Sequence, residues 1–170
     1  SNEAAKHIAF IDTNALLDMF GYWAMCQAFS LKLNTYDEFQ KQMTERLGIN
    51  NATAPFHLSA QDVDTVNLGL GLFRQISARV ENWDFFTSQV CLSEMRHTLL
   101  EDRASERLIG LRVPYRLRRE RPLILYRRSL SEDDYSKLEG EVSNFFEHLI
   151  DYGITIQTAE EKATNFADVA

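Results

Sequence analysis

Two acids and a cluster of arginines are the side chains of this sequence best suited to chemistry. In "HIAFIDTNALLDMF", an apolar run ends at Asp12, passes through Thr13 and Asn14, and at once becomes apolar again. Glu94 follows 82 residues later, six positions after Ser88 in "FTSQVCLSEM". Carboxylate oxygens gathered at one place bind hard cations such as Mg²⁺ or Mn²⁺. Such ions serve phosphodiester hydrolysis by activating water and by neutralising charge on the phosphate. Each acid also has a plain structural use. Asp12 suits a helix N-terminus, where backbone amides satisfy a carboxylate. Glu94 suits an exposed helix face, paired with Arg96 or His97.

The arginines form the second feature. Nine of the 18 basic residues lie between Arg103 and Arg128, and all nine are arginines, interleaved with Tyr115 and Tyr126. A planar guanidinium matches phosphate, and a tyrosine ring gives an unpaired base a stacking face. The stretch containing Arg112, Arg116, Arg118, Arg119, Arg121, Arg127 and Arg128 is therefore the candidate RNA contact. Glu101, Asp102, Glu106 and Glu120 lie in and beside the cluster, so a salt-bridged surface is the competing explanation.

Those residues need a scaffold, and the pattern supplies one. Ile8 to Ile11 reads as a short buried strand and Ala15 to about Phe29 as a helix. "TYDEFQKQMTERLG" reads as a second helix, with Thr35 and Glu38 as a capping box and Gly48 as its stop. Ser59 opens another, in which Val63, Val66, Leu70, Phe73 and Val80 recur at helical steps while Gly69 and Gly71 weaken it. Trp83 to Thr87 is aromatic and prone to form a strand, and Ser88 can cap the long helix that follows, with Val90, Cys91, Met95 and Leu99 as apolar contacts. Ser131 and Asp134 open the clearest helix, whose stripe of Leu138, Val142, Phe145, Phe146, Leu149 and Ile150 is closed by Gly153. "ITIQT" reads as a third strand, and Thr158 with Glu161 begins a last helix. Strands alternating with helices predict an α/β chain with a parallel sheet, whose ligands bind beyond the carboxyl ends of the strands. Asp12 and Glu94 both follow such strand ends.

Composition narrows the class. With 170 residues, 45% hydrophobic and 25% charged, the chain fits one soluble domain. A net charge of −7 argues against a general nucleic-acid coat. No apolar run spans a bilayer, so no membrane partner is expected. Cys26 and Cys91 have no metal-ligand or CxxC spacing and read as buried free thiols of a reducing, cytoplasmic setting. "LGLGLFR" lacks both the third glycine and the preceding strand of a dinucleotide site. His7, His57, His97 and His148 form no ligand pair, and Asp18 and Asp84 have no spacing that separates them from capping or surface acids. An aspartyl phosphatase would want Asp-x-Asp, and Asn14 stands in the second place.

"FIDTNALLD" resembles the opening motif of the PIN-domain nucleases, and "FTSQVCLSEM" resembles their second motif, in which a strand ends in Ser and a glutamate follows. The third strand and its helix fit the same order. The resemblance implies a three-layer α/β/α sandwich with a short parallel sheet and a metal-dependent ribonuclease acting on single-stranded RNA. It makes Asp12 and Glu94 the catalytic acids and metal ligands for Mg²⁺ or Mn²⁺, with Thr13, Asn14 and Ser88 supporting the site. The long gap between the motifs implies a larger, less typical member of the bacterial type, with a helical insert over about 30–80 in a single domain spanning 1–170. The family's later acids follow strand three, so the chain is expected to lack the C-terminal part of the domain, with Asp168 the one carboxylate late enough to serve as third ligand, and so to bind Mn²⁺ weakly and to cleave RNA slowly or not at all. A PIN-like module that binds RNA, a protein partner or a second copy of itself without cutting is the alternative.

Overall fold

The computed structural model describes residues 6–28, 41, 60–112, 116 and 130–158. Their order is β1 (His7–Phe10), α1 (Thr13–Ala28), α2 (Ala60–Arg79), β2 (Trp83–Ser88), α3 (Gln89–Gly110), α4 (Glu132–Asp151) and β3 (Ile154–Gln157). The chain is α/β and rich in helix, with a short parallel sheet in the order β1-β2-β3. The expected helix over 36–48, the helix after Thr158 and Asp168 lie outside the described residues. Two compact units divide the chain, Ser1–Phe86 and Thr87–Ala170.

In the N-terminal unit, β1 and β2 pair in parallel, with His7 opposite Trp83 and Phe10 opposite Phe86. Parallel neighbours need a long crossover, and α1 and α2 belong to it. Side chains alternate across a strand, so Ala9, Ile11, Trp83 and Phe85 share one face. Helix α1 is apolar on more than one side: Leu16, Met19, Phe20, Tyr22, Trp23 and Cys26 are all buried. Its main partner is α2, which buries Leu70, Phe73 and Ile76. Tyr22 and Phe73 meet with ring centroids 5.8 Å apart.

Gly69 is where this packing departs from the sequence reading. Glycine in a helix interior lowers propensity, and the sequence marks it as a weakness. In the folded chain the two helices cross there so closely that an added Cβ would strike the Asp18 carbonyl oxygen and come within 2.7 Å of Tyr22 Cβ. The helical cost is offset by the close approach. Gly71 meets nothing of this kind.

The C-terminal unit pairs α3 with α4. Leu92, Met95, Ala104 and Leu108 are buried on α3, and Leu138, Val142, Phe145 and Leu149 on α4. The start of α4 follows its sequence signal: Ser131 Oγ accepts from the Asp134 amide at 3.2 Å, and Asp134 Oδ2 accepts from the Ser131 amide at 2.9 Å. Its end does too, with Gly153 at φ +91°, where a side chain is strained. Some apolar assignments fail. Val80, Val90 and Ile150 are exposed and Cys91 is only half-buried: Val80 lies past the end of α2, Val90 and Cys91 in the first turn of α3, and Ile150 in the last turn of α4.

Candidate acidic site

Asp12 begins the site. Ile11 donates its amide to the Phe86 carbonyl at 2.7 Å, the last ladder bond before the chain leaves the sheet. One residue on, Asp12 becomes the N-terminal cap of α1. Its Oδ1 accepts from the Ala15 amide at 2.9 Å and its carbonyl from Leu16 at 3.0 Å. Capping a helix with a carboxylate satisfies orphan amides and complements the helix dipole. The carboxylate is thereby held in one orientation at the strand end. Oδ2 has no hydrogen-bond partner among the described residues. Thr13 and Asn14 form the first turn, Thr13 half-buried and Asn14 exposed.

A second acid joins it that the sequence did not single out. Burial, and then the nearby charge of Asp12, push the Asp18 carboxyl above its usual range. Asp18 is half-buried on α1, beside the crossing at Gly69. An offset of six residues is not a helical neighbour spacing, so nothing in the pattern joins the two acids.

Ser88 and Glu94 belong to the second motif. Ser88 is buried and caps α3, its Oγ accepting from the Cys91 amide at 3.2 Å. Glu94 is exposed in the second turn, and its carbonyl accepts from Thr98 Oγ1 at 3.0 Å. The neighbours proposed as its ion partners have other acids: Arg96 Nε lies 3.2 Å from Glu139, and His97 2.9 Å from Glu101. Asp12 falls in the N-terminal unit and Glu94 in the C-terminal one. Among the described residues, no group of three His, Cys, Asp or Glu side chains is gathered in a way that would hold a metal ion.

The arginine cluster divides in two. Arg103 pairs with Glu141, and Arg107 with Asp134 at 3.0 Å, so these two bind α3 to α4. Arg112 is exposed just past α3 at φ +58°, and Arg116 is exposed as well. Arg118, Arg119, Arg121, Arg127 and Arg128 lie outside the described residues.

No family of known sequences, no curated protein and no solved structure matches the chain. No helix among the described residues is long and apolar enough to cross a membrane.

Proposed function

We propose that this chain is a metal-dependent ribonuclease of the PIN type, built as a three-layer α/β/α sandwich. The observation that carries this reading is Asp12, fixed as the cap of α1 directly beyond the carboxyl end of a parallel strand. Ligand sites of parallel α/β sheets gather at such ends. Asp18 supports it as a second, half-buried acid on α1, its carboxyl raised above the usual range by burial first and by the charge of Asp12 second.

In chemical type the donor set fits Mg²⁺ or Mn²⁺, which prefer carboxylate oxygens, and Asp12, Glu94 and Asp168 are the residues that would hold the ion. When bound, the ion lowers the pKa of its water and neutralises charge on the phosphate. The chain's own contribution is positional. The Ala15 amide keeps Asp12 in one orientation, and Thr13 and Asn14 shape the turn behind it. Asp18 adds negative charge at a half-buried position. Arg112, Arg116, Arg118, Arg119, Arg121, Arg127 and Arg128 hold the backbone of a single-stranded RNA.

A non-catalytic RNA- or protein-binding module is the second reading. It is favoured by the cap itself, which gives Asp12 a complete structural role without any metal. Cleavage of a fluorescent single-stranded RNA with added Mn²⁺ separates the two. The nuclease reading expects Mn²⁺-dependent cleavage that Asp12→Asn abolishes. RNA binding with neither Mn²⁺ binding nor cleavage favours the module.

A further inference from the structure

The N-terminal unit holds a cavity of about 380 Å³ between the β1–β2 face and helices α1 and α2. Its walls are Met19, Ile76, Trp83 and Phe85, with Ala15 at the start of α1 leaving room. Trp83 and Phe85 stack with centroids 6.5 Å apart and make one wall aromatic. Two polar side chains, Gln75 and Arg79, complete the lining, both of them exposed and so at the mouth. Arg79 reaches Gln75 Oε1 at 3.5 Å and has no carboxylate partner among the described residues. This sets it apart from Arg96, Arg103 and Arg107, each paired with an acid.

Ligand sites are mostly apolar hollows of about 300–1,000 Å³ with a few placed polar groups, and this cavity has that character. Among the described residues that line it, Arg79 is the cation at the mouth and selects the sign of the head group, and the aromatic wall selects a flat body. We infer that this cavity binds a small aromatic carboxylate, its ring system against Trp83 and Phe85 and its carboxylate on Arg79. The cavity adjoins the acidic site, sharing Ile11 and Ala15 with the turn that carries Asp12, but the inference does not depend on the nuclease reading.

The test is calorimetric titration with 2-naphthoate and, as a neutral counterpart, 2-naphthalenemethanol. The wild-type chain should bind the carboxylate about two- to fivefold more tightly than the alcohol, the size of one exposed ion pair. Arg79→Gln, at an exposed position, should bring the carboxylate down to the alcohol's affinity and leave the alcohol unchanged. Ala15→Phe, which fills the cavity, should remove both, with circular dichroism checking that the helices persist. The inference is overturned if the wild-type chain binds neither compound, binds both equally, or keeps its preference for the carboxylate in Arg79→Gln.

Discussion

The two helix pairs solve one problem in different ways. Helices α1 and α2 approach closely, with Gly69 against the Asp18 carbonyl and aromatic rings interleaved nearby. Helices α3 and α4 have a narrower apolar seam, and arginines span the remaining distance: Arg96 to Glu139, Arg103 to Glu141 and Arg107 to Asp134. Close approach depends on volume, because a dense interior cannot absorb added atoms. Long ion pairs at partly exposed positions depend on protonation and salt, and each contributes little. The first pair should therefore be sensitive to shape and the second to solution conditions.

Substitutions sharpen that contrast, the largest first. Phe145→Ala removes a fully buried ring from α4 and should cost about 3–5 kcal/mol, measured by urea unfolding. Gly69→Ala should destabilise the N-terminal unit by about 1–3 kcal/mol, although alanine is the better helix former, because the clash is with backbone. A gain in stability there would show that the helices can separate, and would end the contrast. Ser131→Ala deletes half of the capping box and should cost about 1 kcal/mol.

Acid should act chiefly on the C-terminal unit, in two windows. Burial holds the His148 imidazole below its usual value, although Asp151 pulls it up. The unfolded chain thus takes that proton first, and stability should fall as pH drops below about 6.5. Asp134 is held below the usual carboxylate range by its bonds to Ser131 and by Arg107 and Arg103. Its contribution is present above the ordinary carboxylate pKa of about 3.9 and is lost as pH falls through the lower folded value. Melting temperature recorded from pH 8 to pH 2 should show both declines. His148→Phe should remove the upper one, and Asp134→Asn the lower.

How far the sequence could be read depends on whether a feature is local. The Ser131–Asp134 box, the Ser88 cap and the strand at Trp83 rest on residues a few positions apart, and each stands as read. Gly69 could not be read that way, since its need arises from a helix some fifty residues earlier in the chain. Periodicity gives the buried face of a helix but not how far along it burial extends, so it reads Val90 and Ile150, both in terminal turns, as inward. In the acidic site, Asp12 was legible as the residue that ends a strand and caps a helix. Asp18 was not, because six residues is not a helical neighbour spacing and its burial lies beside the crossing of α1 with α2.

Asp12 is proposed as a metal ligand and observed as a helix cap, and one measurement separates the two roles. Asparagine caps a helix about as well as aspartate, so Asp12→Asn removes the charge and keeps the cap. Calorimetric titration of Mn²⁺ into the wild-type chain and into Asp12→Asn, at matched melting temperature, reads the charge alone. Mn²⁺ binding by the wild-type chain should be lost in Asp12→Asn while the melting temperature without metal stays the same. Equal Mn²⁺ binding by both chains, or none by the wild type, would leave Asp12 a helix cap and contradict the metal site.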